Sequence, residues 1–129
     1  MMRVNLPASI GELFDKITIL EIKRSKIKDK TKLKIINQEL NLLKKVVITK
    51  KIKTQNMTSL IRKLKNINLR LWNVEDKLRI FEKKKLFKKD FINYARKVYY
   101  MNDKRSYFKN EINKRTNSHI SEVKSYEKY

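Results

Sequence analysis

Hydrophobic residues recur along most of the chain at alternating spacings of three and four, which is the period of an amphipathic α-helix. The first such segment follows Ser9, a predicted N-cap, with Glu12 three residues later to complete a capping box. Residues 17–22 are apolar on nearly every side, which predicts that this helix lies at the centre of the fold. Because these residues include three isoleucines and Thr18, a β-strand is the alternative, but the cap and the flanking period favour the helix.

A second amphipathic helix is predicted over residues 31–47, where apolar side chains keep helical spacing and lysines occupy the opposite side. Residues 48–57 lose that period and contain three lysines, which predicts an exposed basic connection. Two further segments are predicted to lie outside the main helices: an extended start at 1–8 and a tail at 115–129. The tail is expected to be either a short helix packed on the bundle or frayed chain.

The third and fourth predicted helices share one long heptad register. Thr58 is the predicted N-cap of the third helix, whose apolar seam runs from Leu60 to Phe81. A lysine-rich break at 83–89 follows, and Asp90 is the predicted N-cap of the fourth helix. Seams of this length need partner helices, so the two are predicted to form a long antiparallel hairpin. Pairing across a two-fold axis is the alternative, which leaves a homodimer open.

These elements predict an all-α protein, a single-domain bundle of four main helices over residues 1–129, which is an ordinary domain length. One Gly and one Pro supply too few turn residues for an all-β fold. The absence of Cys excludes disulfides and cysteine nucleophiles, and it suits a reducing compartment. No stretch reaches the apolar length of a signal peptide or a membrane span. We therefore expect a cytoplasmic protein without a transmembrane segment.

The chain carries 34 basic and 13 acidic side chains, which gives a formal net charge of +21. This excess predicts non-specific binding to polyanions at low salt. It does not by itself predict dedicated nucleic-acid binding, because the positive charge is spread along the chain rather than gathered in one arm. The bias towards Lys, Ile and Asn is also typical of an AT-rich genome.

Polar residues that interrupt the fourth helix are the most informative feature for function. Three consecutive seam positions are polar: Asn102, Arg105 and Lys109. Burying these groups without partners is prohibitively costly. Either the helix rotates and buries Tyr99, Met101 and Phe108 instead, or the polar groups meet carboxylates, or they line a wet cavity.

Candidate partners for these groups lie on two other helices. The third helix carries a polar stripe beside its seam: Asn68, Trp72, Glu75, Arg79 and Glu82. The first helix adds four charged residues: Glu12, Asp15, Lys16 and Glu21. We therefore predict a polar cluster between helices one, three and four. One hypothesis is a set of buried ion pairs that fixes the helix register.

The other hypothesis for the cluster is a pocket for an anion. In it, Arg79, Arg105 and Lys109 hold a phosphate or carboxylate. Trp72 or Tyr99 then stacks on a ring of the ligand.

Other chemistries find little support in the residues. A di-metal bundle needs Glu-x-x-His pairs, whereas the one histidine, His119, lies in the tail and is expected to be a surface side chain. Glu12 and Asp15 form the nearest carboxylate pair, which is too little to support Mg²⁺, and a single Gly excludes a phosphate-binding loop. The sequence therefore predicts no metal and no cofactor.

Tyrosines interleave with basic residues between positions 94 and 107, as they do on surfaces that bind single-stranded nucleic acid. Aromatic residues at helical spacing more often belong to a core. Tyr99 and Phe108 are expected to pack inward, which would break this surface.

Four ordered blocks carry a resemblance to a known family. They are Gly11-Glu12-Leu13-x-Asp15-Lys16 with the apolar run that follows, Leu71-Trp72-x-x-Glu75-Asp76-x-x-Arg79, Ala95-Arg96-x-Val98-Tyr99 with Asn102-Asp103-x-Arg105 and Lys109-x-x-Ile112-Asn113, and the stretch from Ser118 to Tyr126. Together they resemble the domain-of-unknown-function family 6165 over nearly the whole chain. The resemblance implies an association with glycosyltransferase genes for cell-surface polysaccharide and a source in marine bacteria or their phages. It names no reaction.

The family's blocks select the candidate ligand-binding residues: Glu12, Asp15, Lys16, Trp72, Glu75, Arg79, Asn102, Asp103, Arg105 and Lys109. We expect a small binding or accessory protein that recognises an anionic ligand, such as a nucleotide-sugar or a sugar phosphate, at an interhelical polar site. One alternative is an enzyme on such a substrate in cell-surface polysaccharide metabolism, with Glu75 or Glu12 as acid or base. The other alternative is a nucleic-acid-binding helical bundle.

Overall fold

The computed structural model of the protein describes residues 2–118 and 123–129, and it is built from four α-helices. These are α1, Ile10–Lys26; α2, Lys30–Thr49; α3, Thr58–Lys83; and α4, Lys89–Arg115. A 3₁₀ turn, Gln55–Met57, precedes α3, and the described ranges contain no strand. The predicted all-α fold and its single helical domain are confirmed.

Polar side chains cap the first two helices. Ser9 Oγ accepts a hydrogen bond from the backbone N–H of Glu12 at 3.0 Å, so the predicted cap of α1 is confirmed. Asp29 Oδ1 accepts from the backbone N–H of Lys32 at 3.0 Å and caps α2. Each cap satisfies one of the donors that a helix start leaves unpaired.

The predicted N-caps of the two long helices are wrong by one or two residues. Thr58 has helical backbone angles and is the first residue of α3, because the 3₁₀ turn before it leads directly into the helix. Asp90 lies in the first turn of α4, which begins at Lys89. Its negative charge still faces the positive end of the helix dipole.

Helices α2, α3 and α4 end in the same backbone arrangement, the Schellman motif, without glycine. The residue after each C-cap has a positive φ: Lys51 at 54°, Lys85 at 57° and Asn117 at 52°. The following N–H donates to the carbonyl five residues earlier, at 3.0 Å for Ile52 to Val47 and 2.9 Å for both Leu86 to Phe81 and Ser118 to Asn113. A chain with one glycine thus closes these helices with Lys and Asn, at some cost in backbone strain.

Helix α1 is central, as predicted, because it packs against each of the other three helices. The largest contact joins α3 to α4, which form the predicted long hairpin. The core contains these buried side chains: Phe14, Ile17, Leu20, Ile36, Leu40, Met57, Leu60, Leu64, Ile67, Leu71, Val74, Met101 and Ile112. Since Met57 is among them, the connection at 48–57 is not exposed throughout as expected but turns into the core at its end.

Helices α1 and α4 approach each other closely at Gly11. A Cβ placed on Gly11 would lie 2.3 Å from the carbonyl oxygen of Lys109 and 2.9 Å from Asn113 Oδ1. The Gly11 N–H donates to Asn113 Oδ1 at 2.7 Å, and the neighbouring N–H of Ile10 donates to Ser118 Oγ at 3.3 Å. Side chains from the end of α4 therefore pair with the first donors of α1, which have no partner within their own helix.

Replacing Gly11 with alanine is expected to destabilise the protein by about 3 kcal/mol, because the added methyl group meets a backbone carbonyl that cannot move alone. A loss of stability would be informative, because replacing glycine with alanine inside a helix ordinarily stabilises it by about 1 kcal/mol. Urea unfolding followed by circular dichroism measures the change. As a control, Asn41→Ala on the exposed side of α2 should shift stability by less than about 0.5 kcal/mol. Equal stability of Gly11→Ala and the original protein would contradict the close approach.

Candidate functional site

The best-defined polar site lies between α1, α3 and α4, and we call it the central cluster: Glu12, Asp15, Thr18, Asn68, Arg105 and Lys109. Its three α1 members are three residues apart and so share one side of the helix. Asp15 is only 1% exposed and is bound by Arg105 through two parallel contacts. Arg105 Nε donates to Asp15 Oδ1 at 2.9 Å, and Nη2 donates to Oδ2 at 2.6 Å. This two-point geometry is the strongest form of a charge-assisted hydrogen bond.

Lys109 brings a second positive charge to the same carboxylate. Its Nζ lies 2.7 Å from Glu12 Oε2 and 4.0 Å from Asp15 Oδ2. The Lys109 side chain is buried, whereas Glu12 is partly exposed. The two cations of α4 therefore face two carboxylates of α1, so the central cluster is close to neutral.

Neutral side chains complete the hydrogen bonding of Asp15. Asn68 Nδ2 donates to Asp15 Oδ1 at 2.9 Å and to Thr18 Oγ1 at 3.0 Å. The Thr18 hydroxyl in turn donates to the backbone carbonyl of Asp15 at 2.8 Å. A single residue of α3 is thereby joined to the α1 side of the cluster.

The environment of Asp15 favours its charged form. Burial by itself raises the pKa of a carboxyl group. Hydrogen bonds from Arg105 and Asn68, together with the charges of Arg105 and Lys109, outweigh burial and hold the pKa of Asp15 below its usual value. Asp15 is therefore ionised at neutral pH and is a poor proton donor or acceptor there.

Of the three alternatives for the polar seam of α4, the structure has the one in which cations meet carboxylates. Met101 is buried and Phe108 is packed against the core, as expected. The expectation that Tyr99 packs inward is wrong, because its side chain is 42% exposed. It lies on the outer side of α4, where its ring packs against Tyr100 with the centroids 4.9 Å apart.

Five of the ten predicted site residues come together: Glu12, Asp15, Asn102, Arg105 and Lys109. Asn102 is at the edge of this group, with its Oδ1 3.5 Å from Arg105 Nη1. Lys16 lies outside this group, and its Nζ is 3.7 Å from Oε1 of Glu39 on α2. Trp72 is half-buried on α3. Glu75 and Arg79 are exposed, and neither forms an ion pair within the described residues.

Asp103, the tenth predicted residue, contacts the tail rather than the central cluster. The Tyr129 hydroxyl donates to Asp103 Oδ2, and Lys124 Nζ lies 3.9 Å from Oδ1. This hydrogen bond raises the pKa of Tyr129 to about 12. The Tyr129 ring also packs on Tyr100, with the centroids 4.6 Å apart. Residues 123–129 form no helix, and Lys124 and Tyr129 join this segment to the middle of α4. The expectation for His119 lies outside the described residues.

Sequence reasoning left several functional partners off the candidate list. Asn68 is the first member of the polar stripe on α3, but only this member reaches α1. Thr18 was hidden within an apolar run. Ile10 and Gly11 pair with Ser118 and Asn113, respectively. The one sequence signal for this junction is a lone glycine at a helix start where no turn requires it.

A second candidate site lies between α3 and α4, and we call it the basic depression: Arg70, Lys97, Tyr100, Met101 and Lys104. Three cations line it together with one tyrosine and one buried methionine. None of the three forms an ion pair with a carboxylate of the described residues. Lys97 instead lies over the ring of Tyr94, with its Nζ 4.5 Å from the centroid.

Comparison with known proteins identifies a family and nothing closer. A family model described as a family of unknown function (DUF6165) matches residues 2–129, which confirms the resemblance seen in the sequence. No curated protein and no solved structure matches the chain. Among the described residues, no helix is long and apolar enough to cross a membrane.

Removing the charge of Asp15 is expected to destabilise the fold without changing its shape. In Asp15→Asn, Arg105 and Lys109 lose their buried counter-charge, and breaking such a pair costs about 3–5 kcal/mol. Urea unfolding at neutral pH measures this loss. The matched control is Glu39→Gln, which removes a partly exposed carboxylate paired with Lys16 and should cost less than about 0.5 kcal/mol. Similar losses in the two variants would contradict a structural role for the central cluster.

The lowered pKa of Asp15 also predicts how stability changes with pH. The unfolded chain binds the Asp15 proton more tightly than the folded chain does, so stability falls as the pH falls. The Asp15 contribution is complete above the unfolded pKa of about 3.9 and is lost as the pH drops through the lower, folded value. Unfolding midpoints measured on both sides of this range should fall more steeply with acid in the original protein than in Asp15→Asn. Parallel curves would refute the assignment.

Proposed function

The chain belongs to the family DUF6165, whose function is unknown, and we propose from the geometry of one of its sites that it is a binding protein for a phosphorylated ligand. The site is the basic depression between α3 and α4. The observation that carries the proposal is the group of three cations, Arg70, Lys97 and Lys104, around an exposed aromatic ring without a carboxylate among the described residues to neutralise them. Cations in this state attract an anion to the site and supply donors for its oxygens.

The size of the basic depression limits what it can hold. Its volume of about 140 Å³ is below the roughly 300 Å³ at which small-molecule pockets begin. A phosphate group fits inside, and the remainder of the ligand lies over the surface. The Tyr100 ring packs against Tyr99 and Tyr129 but is 41% exposed, and this exposed part offers a surface there for a sugar or a base.

The central cluster is a less favourable place for an anion. Arg105 and Lys109 already face Asp15 and Glu12, so an incoming phosphate would have to displace a buried carboxylate. The predicted grip by Arg79 has no support, since Arg79 is exposed on α3. We therefore propose a structural role for the central cluster and place the anionic ligand of the sequence hypothesis on the basic depression.

The chemistry of the site is shared by two sources of phosphate. A nucleotide-sugar or sugar phosphate presents one or two phosphates with a ring, whereas a single-stranded nucleic acid presents a row of phosphates with bases. Tyr100 lines the basic depression and Tyr99 packs against it, and both are exposed. Exposed aromatic rings near cations make a nucleic acid the second candidate. A cytoplasmic location, consistent with a chain that contains no Cys, belongs to the same proposal.

The enzyme alternative finds less support in the site. Glu12 is held by Lys109 at 2.7 Å. Glu75 is exposed and has no basic partner among the described residues. Neither carboxylate lines the basic depression, so neither is placed to exchange a proton with a ligand bound there.

A ligand that binds only the folded protein raises its melting temperature, and this is the test of the proposal. Thermal melts are recorded with a nucleotide-sugar, a sugar phosphate and a short single-stranded RNA, each at low and high salt. At about 100 times its dissociation constant, a true ligand adds about 2.7 kcal/mol to the stability. We expect one phosphorylated small molecule to raise the melting temperature at both salt concentrations, because Tyr100 contributes contacts that salt does not screen.

Charge-matched variants separate the basic depression from the overall charge. A triple variant that combines Arg70→Gln, Lys97→Gln and Lys104→Gln should abolish the ligand-induced rise in melting temperature. The control removes the same charge from the exposed side of α2, with Lys30→Gln, Lys34→Gln and Lys45→Gln combined, and should keep the shift. Shifts from RNA alone that vanish at high salt would favour the nucleic-acid alternative or simple polyanion adhesion. Equal losses in both triple variants would refute the site.

A further inference from the structure

The loop end of the α3–α4 hairpin extends beyond the rest of the bundle. The hydrogen bonds and ion pairs that join the hairpin to α1 come from residues 65 and 68 of α3 and residues 105, 109 and 113 of α4. Between residues 75 and 98, which hold the far ends of both helices, Phe81 is the only buried side chain. We call residues 80–92 the hairpin tip.

Large apolar side chains are exposed at the hairpin tip, where soluble proteins usually place polar turn residues. Leu86 and Phe87 are each 47% exposed at the turn itself. Ile80 and Ile92 flank them on the two helices and are 45% and 53% exposed. Four large apolar side chains are therefore exposed at the loop end of the hairpin, and we call the pair at the turn, Leu86 and Phe87, the apolar surface.

The apolar surface is held in a fixed shape. The Leu86 N–H donates to the Phe81 carbonyl at 2.9 Å within the Schellman motif. The Phe87 ring packs edge-on against Phe91, with the centroids 5.3 Å apart, and Phe91 packs on Phe81 at 6.4 Å. Presenting these side chains to a partner thus costs little conformational entropy.

Positive charge predominates around the apolar surface, and two carboxylates, Glu82 and Asp90, border the turn. Five lysines and no acidic residue occupy the turn from 83 to 89: Lys83, Lys84, Lys85, Lys88 and Lys89. Within the described residues the one ion pair of these lysines is the exposed contact of Lys85 with Glu82, at 3.4 Å. Lysines on both sides of Leu86 and Phe87 therefore keep their charge available to a partner.

We propose that the hairpin tip docks on the surface of an anionic lipid bilayer. Leu86 and Phe87 insert at the level of the lipid headgroups, and the five lysines lie against the lipid phosphates. This combination of apolar side chains with a basic rim is what interfacial binding requires. A nucleic acid would use the lysines but would leave exposed leucine and isoleucine unused, so the bilayer is the better match. The inference does not depend on the basic depression.

The attachment is peripheral, because no helix of the described residues can span a bilayer. Helix α3 has 26 residues, so it is about 39 Å long. Docking at the tip therefore holds α1 and the central cluster away from the lipid.

The first test places a fluorescent reporter at the tip. Phe87→Trp is made together with Trp72→Phe, so that the new indole is the sole tryptophan. The matched reporter is Tyr107→Trp in the same background, since Tyr107 is 60% exposed and far along α4 from the tip. Vesicles of phosphatidylcholine with phosphatidylglycerol should shift the emission of the residue 87 reporter to shorter wavelength and leave the residue 107 reporter unchanged. Shifts at both positions, or at neither, would overturn the proposal.

The second test measures vesicle partition of the full chain near physiological salt. Leu86→Ser combined with Phe87→Ser should lower the partition coefficient at least about tenfold, since burial of these side chains is lost. Lys84→Gln with Lys88→Gln should lower it more than the control Lys34→Gln with Lys45→Gln on α2. All changed residues are exposed, so the melting temperatures should stay close to the original.

Three results would overturn the bilayer proposal in different ways. If the double lysine variants of the tip and of α2 lower the vesicle partition coefficient equally while the double serine variant has no effect, binding reflects net charge alone. Weaker binding of single-stranded RNA by the tip variants, with vesicle binding intact, would assign the tip to a nucleic acid. A change in the residue 87 emission with protein concentration, in the absence of vesicles, would assign it to contact between copies of the chain.

Discussion

The buried carboxylate of Asp15 is the interaction on which the arrangement of the helices depends. Apolar contacts between helices allow one helix to slide or rotate by small amounts, but a desolvated charge must keep its partners. Asp15 takes a two-point contact from Arg105 on α4 and a hydrogen bond from Asn68 on α3. One residue of α1 thereby fixes the rotation of that helix against both members of the hairpin, as polar residues fix register in coiled coils.

The close approach at Gly11 and the ion pairs of the central cluster depend on each other. The backbone carbonyl of Lys109 excludes a Cβ at Gly11, and the Nζ of the same lysine forms an ion pair with Glu12, the next residue of α1. If α1 moved outward to admit a side chain at position 11, the Lys109 and Arg105 contacts would lengthen as well. The same placement of α1 against α4 therefore satisfies both the close backbone approach at Gly11 and the ion pairs of the central cluster. A change in one would disturb the other.

The sequence predicts most of the fold but only part of the site, for a physical reason. Periodicity assigns each residue to a side of its own helix, and this was enough to predict α1 as central and to group Glu12 with Asp15. Periodicity does not determine which residues of a neighbouring helix this side will contact. Asn68 and Glu75 belong to one polar stripe of α3, yet α1 reaches Asn68 and leaves Glu75 exposed. The tail, without any period, gave no basis for predicting the contact of Tyr129 with Asp103.

The distribution of charge explains why binding is expected on the outside of the hairpin rather than at its centre. The carboxylates Glu12 and Asp15 neutralise the cations of α4, and Glu21 lies within 4 Å of both Lys44 and Lys65. No carboxylate of the described residues pairs with the three cations of the basic depression, and at the hairpin tip one exposed ion pair, Lys85 with Glu82, involves one of the five lysines. Positive charge is therefore available at both places. Charge alone attracts any polyanion and confers little selectivity. Selectivity must then come from the apolar neighbours of the cations, which are Tyr100 with Met101 at one site and Leu86 with Phe87 at the other.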